Sequence, residues 1–246
     1  MEDNLMRNIL FKGYIGFTLL RLYPKIIRLK KITGKKEKIQ FVDKMLIPVL
    51  EQVIKITGAD VTVTGLENVP VNEAVLYVGN HQGNMDIPLL YLTAPQKMSF
   101  VAKKEMVKLP IFGFLMKQRQ CVFMDRENVR ESIKSINEAI DNLKQGFSIA
   151  IFPEGTRSKS SEMGDFKVGS LRIALKAGVK VIPVSLSGSY KLMEETGKIT
   201  PAKVSIHYGK PIDSKDFKDT NGLSEKVLYE IKKHICLNGT PLLQMS

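Results

Sequence analysis

Two short stretches combine residues able to move a proton or hold an anion. The first, Asn80 to Asp86, reads NHQGNMD and lies between the apolar runs Ala74–Val78 and Ile87–Tyr91. His81 is therefore expected at a strand end, and Asp86 at the start of a helix with Pro88 in its first turn. On a continuous helix, residues five apart diverge by about 140°, so His81 and Asp86 can pair only if the loop folds back. Gly83-Asn84 supplies a turn for that. The carboxylate would then bond one imidazole nitrogen, fix the tautomer and leave the other nitrogen as a general base. The plainer alternative is that Asp86 caps its helix and His81 is a satisfied loop histidine. His207 falls in a strand pattern and His234 on a terminal helix, neither with a ligand-spaced neighbour, so both are read as structural or solvated and no metal site is expected.

The second stretch, Phe152 to Ser158, reads FPEGTRS and follows the strand-like run Ser148–Phe152. Gly155 permits close backbone approach, Thr156 and Ser158 offer hydroxyls, and Arg157 offers a planar fork that matches a phosphate. Glu154 is the odd member, because a carboxylate beside a phosphate repels it unless it orients the arginine or bonds a substrate hydroxyl. Two further runs end in cations: Met98–Ala102 in Lys103 and Lys104, and VFMDR in Arg126. An ordinary surface Asp-Arg pair is the plain reading of Arg126 taken alone. If these strand ends converge, base and phosphate clamp share one mouth, as ligand sites in open α/β sheets do.

The elements that must position these residues follow from periodicity. Val61–Thr64, Ala74–Val78, Met98–Ala102, Cys121–Met124, Ser148–Phe152, Val179–Ser185 and Val204–His207 read as seven strands. Helical stripes alternate with them: Val129 to Leu143 with Gly146 as a stop, Leu171 to Leu175 before Gly178, and Leu223 to Ile235. The expected fold is α/β, a mixed and largely parallel sheet of about seven strands covered by helices. Ahead of it, residues 5–29 carry Ile9, Leu10, Phe17, Leu20 and Ile27 near helical spacing among Arg7, Lys12, Arg21, Lys25 and Arg28, with a bend expected at Pro24. A basic turn from Lys30 to Lys38 leads to a second helical pattern over 41–56. Residues 1–58 thus form an amphipathic basic helix pair suited to a membrane surface, and 59–246 the α/β domain.

With 43% hydrophobic residues the chain can bury a sizeable core, and its net charge of +12 implies a polyanionic partner. Nucleic acid is disfavoured: there is no tryptophan, aromatics are 7%, and no RNA- or finger-type pattern stands out. Cys121 and Cys236 are too few and too isolated for a disulfide scaffold, which suits a reducing compartment. The uncharged stretch 13–20 is far short of the ~20 residues that span a bilayer. A cleaved leader fits poorly, because its charges are scattered through the segment. The expectation is a protein lying peripherally on the cytoplasmic face of the membrane.

Taken together, NHQGNMD, the VAKKEM to VFMDR stretch, FPEGTRS and VIPVSLSG with Pro183 resemble, in order, the motif blocks of the glycerolipid acyltransferase family, and within it the lysophosphatidate acyltransferases. The resemblance implies transfer of a fatty acyl group from an acyl thioester, on acyl carrier protein or coenzyme A, to the sn-2 hydroxyl of 1-acylglycerol 3-phosphate. It implies no cofactor. His81 would be the general base and Asp86 its partner, with Asn80 supporting the loop. Arg126, Glu154, Gly155, Thr156 and Arg157 would bind the acceptor, Lys103 and Lys104 would serve its phosphate or the oxyanion, and Lys167 of Phe166–Gly169 would assist. With no GxSxG elbow near His81, direct transfer is expected over a covalent intermediate. Glycerol 3-phosphate or another lysophospholipid as acceptor, or water in a lipid thioester hydrolase, would use the same base.

Overall fold

The computed structural model describes residues 2–237 and 240–241. Two long helices come first, α1 (Glu2–Lys31) and α2 (Lys35–Thr57), and α1 continues as helix through Pro24. The sheet-and-helix part follows as β1 (Asp60–Thr64), β2 (Val75–Gly79), α3 (Asp86–Thr93), β3 (Ser99–Lys103), α4 (Phe112–Gln118), β4 (Val122–Met124) and α5 (Val129–Lys144). It is completed by β5 (Ile149–Ile151), α6 (Arg172–Ala177), β6 (Lys180–Ser187), β7 (Lys203–Tyr208), β8 (Ile212–Asp213) and α7 (Thr220–His234). All seven expected strands are present, in the order β1-β7-β6-β2-β5-β3-β4. The sheet gains an eighth strand, β8, which pairs antiparallel to β6 beyond the end of β7. Pro183 marks that break: it has no N–H for the ladder, and its carbonyl accepts from Gly209 N–H at 2.8 Å, where β7 gives way to β8. Helix α4 lies where periodicity predicts no helix, since seven residues are too few to show a period.

Strands β6, β2, β5, β3 and β4 run parallel, so their carboxyl ends open at one edge of the sheet. Burial on both faces explains why β2 reads as a continuous apolar run. Val75 and Tyr77 face one core with Leu89 and Leu90 of α3 and Val53 of α2, while Leu76 and Val78 face another with α5, α6 and α7. The helix after β2 therefore lies on one face and the helix after its neighbour β5 on the other. A crevice opens between such strands, where ligands enter α/β sheets.

Helix α1 presents two apolar faces. Leu22, Ile26 and Leu29 pack with Val42, Met45 and Val49 of α2 and Leu115 of α4. The opposite face, with Ile9, Leu10, Phe17, Leu20 and Ile27, is exposed, Leu20 to 77%. Helix α2 is bolted to the rest through Asp43, whose carboxylate meets Arg119, the residue that follows α4, at 2.8 Å and the hydroxyl of Tyr91 in α3. Arg119 is buried and also reaches the Tyr91 hydroxyl at 2.9 Å, so the pair is hydrogen-bonded as a buried charge requires.

His207 and His234, read as structural, stack on each other at 3.7 Å, and His207 Nδ1 bonds the Thr64 hydroxyl at 2.9 Å. Burial, and then the charge of His234 on His207 and of Lys233 on His234, holds both rings below the usual histidine range. Because the folded values are depressed, the unfolded chain binds more protons as pH falls, so this contribution is whole above the ordinary histidine range and is lost on descending through it. The melting temperature is expected to drop between about pH 7.5 and about pH 5.5, and to drop less in His207→Gln.

Candidate active site

The loop after β2 closes back on itself as Gly83-Asn84 suggested, with Asp86 N–H donating to Gly83 O at 3.2 Å. His81 Nδ1 lies 2.7 Å from Asp86 Oδ2. That same oxygen accepts from the N–H groups of Gln82 at 2.7 Å and Gly83 at 2.8 Å. Asp86 therefore holds the loop that precedes its helix and does not simply cap α3. It is fully buried, whereas the His81 side chain keeps 17% of its surface exposed and stacks on Phe152 at 4.1 Å. With Nδ1 committed, Nε2 is the nitrogen left to take a proton. Asn80 fixes the base of the loop by exchanging both amide atoms with the backbone of Leu186 in β6, at 2.8 and 2.9 Å.

The second motif leaves β5 beside this loop. A turn over Phe152–Gly155 is closed by Gly155 N–H on Phe152 O at 3.0 Å, with Gly155 at φ +73°. Glu154 points inward. Its two oxygens accept from His81 N–H and from Gly164 N–H, each at 2.7 Å. The carboxylate that the resemblance places in acceptor binding is thus occupied by backbone, and burial pushes its carboxyl above the usual range. The two motifs are laced further by Ser158 N–H on His81 O at 2.8 Å and Lys159 N–H on Gln82 O at 3.1 Å.

Gly155 marks the cationic corner of the site. A methyl group there would lie 3.1 Å from Lys167 Nζ and 3.4 Å from Arg126 Nη1. Two positive groups, one just after β4 and one from the segment ahead of α6, thus converge on one backbone position, next in sequence to the residue that bonds His81. Neither Arg126 nor Lys167 forms an ion pair among the described residues. Thr156 is exposed beside them. Arg157 turns to Glu194, its Nη1 3.0 Å from Oε1. Lys103 pairs with Glu105 at 3.6 Å, and Lys104 with Asp125, the residue before Arg126, at 2.6 Å. The structure therefore brings His81, Asp86, Gly155, Arg126 and Lys167 to one place and leaves Lys103 and Lys104, at the end of β3, engaged with their neighbours.

Sequence reasoning missed two members. Phe152 was available from its motif, being the residue before the proline. Glu194 had no signal, lying in an irregular segment after β6. A paired imidazole beside uncommitted cations, at the crevice of an open sheet, can deprotonate a group on an anionic substrate. Comparisons with known proteins bear on the family alone. The family model described as Acyltransferase matches residues 60–187. The probable 1-acyl-sn-glycerol-3-phosphate acyltransferase of Mycoplasma pneumoniae is 31% identical, over 86% of this chain and 79% of its own length. The chloroplast 1-acyl-sn-glycerol-3-phosphate acyltransferase LPAT1 of Arabidopsis thaliana is 35% identical over 62% of this chain, a match that spans 43% of the plant protein. The crystal structure of the 1-acyl-sn-glycerophosphate (LPA) acyltransferase PlsC from Thermotoga maritima is similar with a TM-score of 0.80 and 31% identity, over 94% of this chain and 96% of that one. The chain belongs to the acyltransferase family.

Proposed function

We propose that this chain is a 1-acyl-sn-glycerol-3-phosphate acyltransferase that moves an acyl group from a thioester to the sn-2 hydroxyl of lysophosphatidate, forming phosphatidate for phospholipid synthesis. The observation that carries this reading is the placing of an Asp-paired histidine next to two uncommitted cations. The acceptor phosphate sits at the Arg126–Lys167 corner against Gly155, with Thr156 and Arg157 at its border. Its hydroxyl then reaches His81 Nε2, which takes the proton as the oxygen attacks the thioester carbonyl. The tetrahedral intermediate collapses with cleavage of the C–S bond, and the imidazolium returns the proton to the departing sulfur. Asp86 stabilises the imidazolium throughout. Neither the attack nor the collapse requires an enzyme-bound acyl group, and Cys121, buried with its thiol pushed up to about 11, is unsuited to carry one. The donor is acyl carrier protein or acyl-coenzyme A.

The test is release of free thiol from an acyl thioester with and without lysophosphatidate, with product identified as phosphatidate. Release that needs the acceptor is expected. Release indifferent to it would make the protein a thioester hydrolase.

Residues 1–58 serve as a docking segment on the cytoplasmic face of an anionic membrane. Among the described residues no helix is long and apolar enough to cross a bilayer. The exposed face of α1 suits an interface because its apolar stripe is flanked by Lys12 and Lys30 on one side and by Arg21 and Arg28 on the other. Burying one such apolar side chain is worth up to about 1.5–3 kcal/mol. Phe17→Glu/Leu20→Glu is expected to lower partitioning onto anionic vesicles by at least about tenfold. Sedimentation with liposomes measures it, and unchanged binding would remove α1 from the contact.

A further inference from the structure

The segment after β6 reaches back over the His81–Asp86 loop. Gly188, at φ +84°, turns the chain into a short helical stretch, Ser189–Leu192, and Glu194 N–H donates to Tyr190 O at 2.8 Å. The Glu194 side chain is 3% exposed, and its Oε1 accepts from Asn84 N–H at 2.8 Å and from Arg157 Nη1 at 3.0 Å. Its Oε2 is buried and has no hydrogen-bond partner among the described residues. That oxygen occupies the space a side chain at position 83 would need, lying 2.4 Å from where a methyl on Gly83 would stand. A second tie runs parallel, between the Ser189 hydroxyl and Gln82 Oε1 at 3.2 Å. One buried carboxylate thus joins the loop that carries the base to the arginine at the border of the cationic corner.

We propose that Glu194 is a positioning residue for acyl transfer, holding the His81–Asp86 loop through Asn84 and fixing where the Arg157 guanidinium faces the acceptor. The inference rests on the transferase reading above. Leaving a buried carboxylate oxygen unpaired is costly, and here it is tolerated at the point where the carboxylate must reach two donors at once. Gly83 is glycine for the same reason, since its backbone has no positive φ to require one and the three atoms nearest to a methyl there all belong to the Glu194 carboxylate.

The experiment measures acyl transfer with lysophosphatidate varied at saturating acyl thioester, for wild type, Glu194→Gln, Glu194→Ala, Gly83→Ala and the double variant Gly83→Ala/Glu194→Ala. Glu194→Ala is expected to lower kcat at least about tenfold, because the base shifts relative to the hydroxyl. Glu194→Gln keeps an acceptor for Asn84 but loses the charge that holds Arg157. Its kcat should stay within about threefold of wild type while its acceptor KM rises at least about fivefold. Gly83→Ala should resemble Glu194→Ala, and the double variant should be little worse than either, because removing the carboxylate makes room for the methyl. Wild-type kcat and KM in Glu194→Ala, or losses that simply multiply in the double variant, overturn the inference. Should Glu194→Ala fail to fold, an unchanged acceptor KM in Glu194→Gln overturns it alone. Absence of acceptor-dependent transfer by the wild type overturns the function reading instead, and this inference with it.

Discussion

Replacing His81 by alanine is expected to lower acyl transfer by about 10²- to 10⁴-fold while leaving the protein folded. The two effects separate because the residue does two jobs through different atoms. Its backbone N–H and carbonyl lace the two motifs together, to Glu154 and Ser158, and an alanine retains both. Its ring, partly exposed on Phe152, contributes one bond to Asp86. Thiol release under single-turnover conditions, beside a thermal melt, distinguishes a lost base from a lost fold. Residual transfer above about a tenth of wild type would mean that another group takes the proton.

Asp86 gives the second large effect, and its two substitutions should fail differently. Oδ2 is fully buried and accepts three bonds, from His81, Gln82 and Gly83. Asp86→Ala strands two buried N–H groups at about 1–3 kcal/mol each, so a stability loss of roughly 2–6 kcal/mol is expected from chemical denaturation. Asp86→Asn can still accept from both N–H groups and should stay folded. It offers no negative charge to an imidazolium, however, since the neutral amide oxygen that accepts from both N–H groups is also the atom that faces Nδ1. The imidazolium formed in the reaction would then go uncompensated, and kcat should fall by about 10²- to 10⁴-fold with the acceptor KM nearly unchanged. An Asp86→Asn protein with near-normal kcat would reduce Asp86 to a purely structural role.

Much of this arrangement was legible in the sequence, and the exceptions have physical causes. The central strands show because both faces of the sheet are buried there, so Val75 to Val78 can hold no charge. β8 was hidden because Ile212–Asp213 is too short to carry a period, and α4 because Pro110 and Gly113 outweigh seven helical residues. The stripe Ile9 to Ile27 was visible on α1, but not which side faces the protein, since Leu22, Ile26 and Leu29 form a second stripe of equal quality. Within the site, side-chain pairs announce themselves by residue type and spacing, as His81 and Asp86 do. Partners that are backbone amides leave no mark. Glu154 therefore looked like a misplaced ligand residue, although it braces the loop, and Glu194 was invisible because one partner is the Asn84 amide and the other, Arg157, lies 37 residues away in sequence.

The amides of His81, Gln82, Gly83 and Asn84 each donate to a carboxylate, supplied in turn by Glu154, Asp86 twice and Glu194. A segment with every proton so engaged has already surrendered its conformational entropy on folding. The arriving acceptor does not have to order it, and the free energy of binding the phosphate is not spent on assembling the base. Such amides should exchange with solvent among the slowest of any loop in the protein. Whatever yields to admit the acyl chain must therefore be found outside residues 81–84.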